Sequence, residues 1–120
     1  MAGNFYESAR DVRVQGSVLF ADLRNVDGEW VPAEINLDEY LGNEDGHFVW
    51  EGSEFSHSAE QIEFSFEGED NVPILRALLY AEEQLRPDNI NLGERIININ
   101  GEFQFQVLGL LARENSPSIP

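Results

Sequence analysis

The stretch INLDEYLGNEDGHF, residues 35–48, recurs in altered form as INLGERIININGEF, residues 90–103. Both versions begin with Ile-Asn-Leu and end in Asn-x-(Asp/Asn)-Gly-x-Phe. Asp-Gly and Asn-Gly dipeptides tolerate positive φ and are typical of tight hairpin turns. Each version therefore predicts a hairpin, and their likeness predicts a duplicated domain.

The duplication extends outward from these two segments. Near the start of each copy the offset is 50 residues, and after about five extra residues within 66–71 it becomes 55. The pairs matched at these offsets include Phe5–Phe55, Ser8–Ser58, Ala9–Ala59, Leu19–Ile74, Leu23–Leu78, Trp30–Leu85 and Leu37–Leu92. The copies span about residues 5–54 and 55–105. Two copies are too few for a solenoid, so they predict one pseudo-twofold domain in which each copy covers the apolar face of the other.

Within each copy the apolar residues recur with a period of two, the pattern of half-buried strands. The alternating sets are Val12/Val14, Ile62/Phe64/Phe66, Phe48/Trp50 and Phe103/Phe105/Val107. Only LDEYLG and LGERII look helical, and each is about one turn long, too short to be stable alone. The sequence thus predicts an all-β chain with one or two short helical turns per copy. Residues 106–120 lie outside the repeat and are predicted to form a partly disordered extension.

Length and composition agree with a single small domain. The chain has 120 residues and no cysteine, which excludes disulfides and thiolate metal sites and fits a reducing compartment. The first residues lack a basic end followed by an apolar run, and no apolar stretch reaches the roughly 18 residues that a membrane span needs. The expectation is a cytoplasmic or non-classically secreted protein.

Charge narrows the possible partners. Seven basic residues, all arginine, stand against 23 acidic ones, for a formal net charge of −16. Such a surface repels phosphate backbones and anionic lipids, so neither nucleic acid nor a membrane surface is expected as a partner. A neutral or a cationic partner remains open.

Catalytic and metal-binding patterns are weak. His47 and His57 are ten residues apart with no metal-binding spacing, and most carboxylates fall at outward strand positions or in turns, whereas a glycosidase needs a pair at a set separation in a cleft. The loop Asn43-x-Asp45-Gly46 resembles part of a calcium loop, but Leu41 occupies the third ligand position. No catalytic residue, metal or cofactor is predicted.

The repeated Asn-x-(Asp/Asn)-Gly motif is first of all turn chemistry, because its side chains bond nearby backbone and its glycine supplies the positive φ. Amides and carboxylates fixed on a rigid turn can also present paired donors and acceptors to the adjacent hydroxyls of a sugar. A sugar is uncharged, which suits this acidic surface. The motif is therefore compatible with carbohydrate binding as well as with a purely structural role in the turn.

These features together resemble the cyanovirin-N homology family of lectins, and above all its cysteine-free fungal members. The resemblance is carried by ARDVRVQGSVLFADL, by the repeated INLxExI/LxNx(D/N)GxF and by the offset of about 50, over roughly residues 4–105. It implies an elongated pseudo-twofold fold whose two lobes each have a three-stranded sheet and a hairpin, with strands exchanged between the repeats. A single domain would span 1–105, with lobe A at about 1–39 plus 95–105 and lobe B at about 40–94. Where the family can carry disulfides, this chain has Ala9/Leu23 and Ala59/Leu78.

The resemblance also implies non-catalytic recognition of mannose-rich glycans, chiefly terminal Manα1-2Man, at one shallow pocket in each lobe. The primary pocket, in lobe A, maps to Asn4, Glu7, Ser8, Arg24, Val26, Asn98, Ile99 and Asn100. The secondary pocket, in lobe B, maps to Gly42, Asn43, Asp45, Ser53, Glu54, His57, Ser58, Leu79, Tyr80, Ala81 and Glu83.

Neither pocket matches the family pattern in full. Arg24 and Val26 stand where the pattern has an acid and a threonine, and Leu79-Tyr80-Ala81 replaces a Lys-Thr-Arg run. Losing that arginine removes charge-assisted donors, so lobe A is predicted to be the effective site, of modest affinity, and lobe B weak or silent. A protein-interaction domain with decayed sugar sites is the alternative. Residues 50–53 could act as a hinge for a domain-swapped dimer, although a monomer is expected to predominate.

Overall fold

Ten short strands and four single 3₁₀ turns make up the part of the chain that the computed structural model describes, residues 5–106. The strands are β1 (Ala9–Gln15), β2 (Val18–Arg24), β3 (Trp30–Asn36), β4 (Leu41–Glu44), β5 (His47–Trp50), β6 (Ala59–Glu67), β7 (Val72–Ala81), β8 (Gln84–Asn91), β9 (Ile96–Ile99) and β10 (Glu102–Phe105). The 3₁₀ turns are η1 (Phe5–Ser8), η2 (Leu37–Glu39), η3 (Phe55–Ser58) and η4 (Leu92–Glu94). None of these turns is long and apolar enough to cross a membrane.

The strands form two antiparallel three-stranded sheets and two hairpins, in the orders β1-β2-β3, β6-β7-β8, β4-β5 and β10-β9. The hairpins are exchanged between the copies. Hairpin β4–β5 belongs to the first copy but packs against β8, while β9–β10 of the second copy packs against β3. The prediction of an all-β fold with exchanged strands and short helical turns is confirmed. We use lobe A for β1–β3 with β9–β10 and lobe B for β6–β8 with β4–β5.

The core follows the alternation of the strands. Every second side chain of β2 and of β7 points inward and is buried, and the aromatic residue that opens each copy is buried with them. The largest fully buried side chains are Phe5, Phe55, Leu19, Leu23, Leu37, Leu41, Pro73, Leu75, Leu79, Leu92 and Ile96. This apolar cluster is continuous through both lobes, so each copy completes the core of the other.

The alignment predicted for β7 is wrong by one residue. Val14 pairs with Leu19 in lobe A, and Phe64 pairs with Leu75 in lobe B, so Leu19 corresponds to Leu75 and the offset on this strand is 56. The extra residues lengthen the β6–β7 hairpin, while the turn after β7 is shorter than the turn after β2. A change of one residue exchanges the two faces of a strand.

One consequence concerns the pairs predicted to replace disulfides. Ala9 lies opposite Leu23, as predicted, but Ala59 lies opposite Leu79 and not Leu78. Both leucines have 0% exposed surface. Apolar packing therefore occupies the space between the first and second strands of both sheets.

The 3₁₀ turns join the copies by two different contacts at corresponding places. In lobe B, Asp38 of the first copy accepts hydrogen bonds from the Ser56 backbone N–H (3.0 Å) and hydroxyl (2.5 Å) of the second. In lobe A, Gly93 takes the place of the aspartate and Tyr6 the place of the serine. A Cβ atom on Gly93 would lie 2.6 Å from the Tyr6 ring, so the glycine is what allows the ring to approach η4 this closely.

The junction of the copies is held by a buried cation. Arg95, only 5% exposed, donates to Glu51 Oε2 at 2.6 Å and to the Gln106 carbonyl at 2.6 Å. Its guanidinium also lies 4.9 Å from the centre of the Phe105 ring. The Glu51 N–H donates to the Tyr40 carbonyl at 2.8 Å. The equivalent hydrogen bond of the second copy joins the Gln106 N–H to the Arg95 carbonyl at 2.7 Å. Glu51 has φ = 67°, so the predicted hinge at 50–53 is a well-defined turn in this structure.

Candidate functional site

The lobe A site is built around Asn98, which joins both copies. Its Nδ2 donates to the Ser8 hydroxyl at 2.8 Å and to the Arg24 carbonyl at 2.9 Å. Its Oδ1 accepts the N–H of Gly101 at 2.8 Å. The amide has two donors, and both are therefore used inside the protein. Asn98 thus holds the β9–β10 turn against the ends of η1 and β2.

The turn itself presents the next amide. Asn100 (φ = 52°) and Gly101 (φ = 87°) occupy the two central positions, the geometry of a type I′ turn. Asn100 Oδ1 accepts the N–H of Val26 at 3.0 Å. The Asn100 amide nitrogen makes no hydrogen bond within residues 5–106, so it is a fixed and unused donor at the edge of the site.

The residues predicted for the lobe A pocket are largely brought together. Ser8, Arg24 and Asn98 share one hydrogen-bond network, and Val26 bonds Asn100. Val26 and Ile99 are exposed by 81% and 52% and give this surface an apolar component. Glu7 precedes Ser8 in η1, which places it beside the network. Asn4 lies outside the described residues.

Trp30, which the sequence reasoning did not include, belongs to the same region. It pairs with Arg24 at the open end of β2 and β3. The guanidinium of Arg24 lies 5.9 Å from the centre of the Trp30 ring, and that of Arg10 lies 4.4 Å away. Cation–π contacts of this kind hold arginine side chains in place. An exposed tryptophan beside a predicted pocket residue was the available signal.

Lobe B repeats the same network with Asn43. Its Nδ2 donates to the Ser58 hydroxyl at 2.9 Å and to the Tyr80 carbonyl at 2.9 Å, and its Oδ1 accepts the N–H of Gly46 at 2.8 Å. Asp45 and Gly46 have φ values of 53° and 88°, so the turn type is also repeated. The prediction that both motifs act as turn chemistry is confirmed in each lobe.

The outer groups of lobe B differ from those of lobe A. Asp45 takes the place of Asn100 and is an acceptor only when ionised. Asp45 and Glu83 line a groove of about 610 Å³ with Glu82, Gln84 and Arg86. The sequence reasoning named Asp45, Ala81 and Glu83 there but missed the other three, which the two-residue β7–β8 turn brings together. This groove is strongly acidic.

The remaining residues predicted for lobe B do not line this groove. Glu54 contacts His57, with 3.6 Å between Oε1 and Nδ1, and both side chains are mostly exposed. Ser53 packs by its backbone against Gly42, where a Cβ atom would lie 3.0 Å from the Ser53 nitrogen. Leu79 is fully buried, so the prediction that it lines a pocket is wrong. The one-residue error in the alignment of β7 hid this inward position.

Tyr80 is the residue of β7 that occupies the position of Arg24. Its hydroxyl donates to Glu60 Oε2 at 2.6 Å. This hydrogen bond is the main reason why the pKa of Tyr80 is raised. The side chain is therefore tied to the sheet of lobe B, whereas Arg24 in lobe A keeps its guanidinium over an aromatic ring.

The other perturbed groups also belong to the lobe B sheet and not to either turn. Hydrogen bonds from Arg76 and from the Ser65 hydroxyl lower the pKa of Glu67 to about 2. Within residues 5–106, no cluster of three or more His, Asp or Glu side chains is arranged to hold a metal ion. The chemistry of both turn sites is thus that of hydrogen bonding by amides, carboxylates and backbone.

The fold and its two amide-anchored turns define a class of two-lobed β protein made from an intertwined repeat. A family model described as the CVNH domain matches residues 5–104. The chain therefore belongs to the cyanovirin-N homology (CVNH) family, and the resemblance noted from its sequence is confirmed.

Individual relatives agree with this assignment. The chain is 43% identical over 107 residues to a cyanovirin-N homolog of Neurospora crassa, covering 84% of this chain and 96% of that one. Among solved structures, the CVNH protein of Gibberella zeae has a TM-score of 0.82 at 41% identity, over 88% of this chain and 99% of that one. A designed cyanovirin-N homolog lectin, LKAMG, has a TM-score of 0.78 at 42% identity over 88% and 100%. A variant of MoCVNH3, solved with (N-GlcNAc)4, has 0.78 at 25% identity over 87% and 97%.

Proposed function

We propose that this protein is a non-catalytic lectin that binds mannose-rich glycans ending in Manα1-2Man, mainly through the lobe A site and with modest affinity. Family membership supports carbohydrate binding, since one relative at 42% identity is a lectin and another was solved with a chito-oligosaccharide. The choice of mannose as the sugar is supported by the pocket that the family resemblance implies, which maps to Glu7, Ser8, Arg24, Val26, Asn98, Ile99 and Asn100.

The observation that carries the choice of lobe A is the amide donor of Asn100, which has no partner within residues 5–106. Its Oδ1 is fixed by the Val26 N–H at 3.0 Å, so its orientation is set before any ligand arrives. A preorganised donor loses little entropy when it binds a hydroxyl. Arg24, whose carbonyl accepts from Asn98, adds an exposed guanidinium to the same lobe. In lobe B, Asp45 offers only acceptors and Tyr80 is engaged by Glu60.

Two matched substitutions test this proposal, each giving one turn the residue that the other turn carries at the same position. Asn100→Asp keeps an oxygen that accepts from Val26, removes the amide donor and adds a negative charge, which has little effect on an uncharged sugar. Aspartate already adopts nearly the same φ at position 45. One hydrogen bond contributes about 0.5–1.5 kcal/mol net, so the dissociation constant for Manα1-2Man should rise roughly two- to tenfold. The control, Asp45→Asn, should leave it within twofold. Isothermal titration calorimetry measures both.

Three outcomes would overturn the proposal. The first is that no mannoside binds to the unmodified protein. The second is that Asp45→Asn alters the affinity while Asn100→Asp does not, which would place the effective site in lobe B. The third is release of free mannose from the glycan, which would make the protein an enzyme.

The alternative is a protein-interaction domain on the same scaffold. It is favoured by the exposed Val26 and Ile99 side chains, which place apolar surface where a sugar site needs polar groups. A glycan array separates the two, because the alternative predicts no signal on mannose-rich glycans at any protein concentration tested.

A further inference from the structure

A groove of about 690 Å³ runs between the start of β1 and the β6–β7 turn. One wall is formed by η1 and the first residues of β1, in the first copy, and the other by the end of β6 and the start of β7, in the second. The polar or aromatic side chains that line it are those of Tyr6, Glu7, Arg10, Asp11, Phe66, Asp70 and Asn71. Its volume lies within the roughly 300–1,000 Å³ typical of ligand sites.

The groove adjoins the lobe A site at Glu7. Glu7 lines the groove, and the next residue, Ser8, accepts the hydrogen bond from Asn98 at 2.8 Å. A ligand that contacts the turn at Asn98–Asn100 and passes Glu7 would therefore reach the groove. Tyr6 at its floor is fixed, since its ring packs on Gly93 and against the edge of Phe5 with 5.9 Å between ring centres.

The wall formed by β6 and β7 depends on the extra residues that lengthen this hairpin in the second copy. The β1–β2 turn is two residues long, whereas β6 and β7 continue further and close with the turn 68–71. That turn is well defined, because Gly68 has φ = 81°, Asn71 has φ = 56° and the Asn71 N–H donates to the Gly68 carbonyl at 3.1 Å. The side chains of Asp70 and Asn71 make no hydrogen bond within residues 5–106.

The chemistry of the lining selects a class of ligand. Glu7, Asp11 and Asp70 outnumber the one cation, and Arg10 is engaged by Trp30 (4.4 Å) and by Asp22 (3.6 Å). An anionic ligand would therefore be repelled. Asp11 is paired with Arg13, whose Nη1 lies 3.3 Å from Asp11 Oδ2. The Asp70 carboxylate and the Asn71 amide have no such partner within residues 5–106, and they are suited to hydroxyl groups, to which they offer several acceptors and two donors.

We propose that this groove is a subsite that holds the further sugar residues of an oligosaccharide whose end is bound at the lobe A turn. The inference rests on the proposed function, because it assumes that a neutral sugar occupies the lobe A site. It predicts that a longer oligomannoside binds more tightly than the disaccharide, and that the gain depends on the turn 68–71.

The test compares two ligands and three variants by calorimetry. The ligands are Manα1-2Man and a linear oligomannoside of four residues that ends in the same disaccharide. The variants are Asp70→Ala, Asn71→Gly, which keeps the positive φ, and Glu69→Ala. Glu69→Ala is the control. It removes a carboxylate from the same turn, but Glu69 does not line the groove, so this variant shows the effect of losing a charge or disturbing the turn without changing the groove.

The expected result is that the tetrasaccharide binds about tenfold more tightly than the disaccharide to the unmodified protein and to Glu69→Ala. Asp70→Ala and Asn71→Gly should each reduce that gain about threefold or more and leave disaccharide affinity unchanged. Equal affinity of the unmodified protein for both ligands would overturn the inference, as would a gain that survives both groove variants. These results are distinct from failure of the proposed function, in which the disaccharide itself does not bind.

Discussion

Replacement of Asn98 by alanine should damage the fold before it damages any binding site. The Asn98 side chain makes three hydrogen bonds shorter than 3.0 Å, to Ser8, to the Arg24 carbonyl and from the Gly101 N–H. Two of these connect segments that are 90 and 74 residues apart in the chain. Alanine can make none of them.

The size of the effect follows from how well water can replace each partner. A protein hydrogen bond contributes about 0.5–1.5 kcal/mol net, and a polar group left without a partner costs about 1–3 kcal/mol if it is buried. The Arg24 carbonyl is exposed and can bond water, whereas the other two contacts are partly buried. We expect a loss of about 2–3 kcal/mol in the free energy of unfolding, which lowers Tm by roughly 10 °C in a domain of this size.

Urea unfolding followed by tryptophan fluorescence measures the change, with an unaltered m-value as evidence that the native state remains compact. Asn43→Ala should lose a similar amount, because its network is the same. Asn89→Ala is the control, since Asn89 is exposed and its side chain makes no hydrogen bond within residues 5–106. A loss below about 0.5 kcal/mol for Asn98→Ala, the usual range of surface substitutions, would refute this account of the network.

Three further predictions concern the turns and the sheet of lobe B. Gly101→Ala should lower stability by about 1–2 kcal/mol, because φ is +87° and alanine is strained there; a Tm within 2 °C of the unmodified protein would contradict this. The pKa of Glu67 is lowered to about 2, mainly by Arg76, so the contribution of the ionised carboxylate to the free energy of unfolding is present above pH 4.5 and is lost as the pH falls toward 2. The difference in that free energy between the unmodified protein and Glu67→Gln, measured by urea titration, should shrink over this pH interval. A difference that stays constant would contradict the prediction. Gly93→Asp should destabilise by clashing with Tyr6, and adding Tyr6→Ser should restore stability by recreating the serine–aspartate pair of lobe B; a double-mutant cycle without favourable coupling would rule this out.

Much of the fold could be predicted because each copy of the repeat contains strong local sequence signals for turns and strands. The Asp45-Gly46 and Asn100-Gly101 dipeptides mark type I′ turns, and alternation marks the strands on either side. The exchange of hairpins could not be predicted from these signals, because either copy could close on itself with the same turns. It was predicted from the family resemblance. In physical terms it depends on contacts between distant segments, such as that between Asp38 and Ser56.

The register of β7 shows where sequence reasoning failed. Both Leu78 and Leu79 are apolar, so composition could not decide which of them faces the core. Only the pairing of Phe64 with Leu75 settles the question. A compensating loss of one residue in the β7–β8 turn restores the offset of 55 by residue 85, so the alignment looked consistent on both sides.

The candidate sites were predicted in outline, and their chemistry was partly misassigned. Asn98 and Asn43 were expected to offer their amides to sugar hydroxyls, but both donors of each are used within the protein. The Asn100 amide, in contrast, donates to no other group within the described part of the chain. Which of two amides in one motif points inward depends on the handedness of the turn and on its neighbours across the lobe, and neither is visible in the sequence.

The most direct measurement of the central claim is a titration of the ¹⁵N-labelled protein with Manα1-2Man, followed by backbone amide shifts. The account predicts that the largest shifts fall on residues 7–8, 24–26 and 98–101, which belong to different copies but to one lobe. Shifts confined to 43–58 and 79–83, or shifts that follow a single copy along the chain, would contradict it.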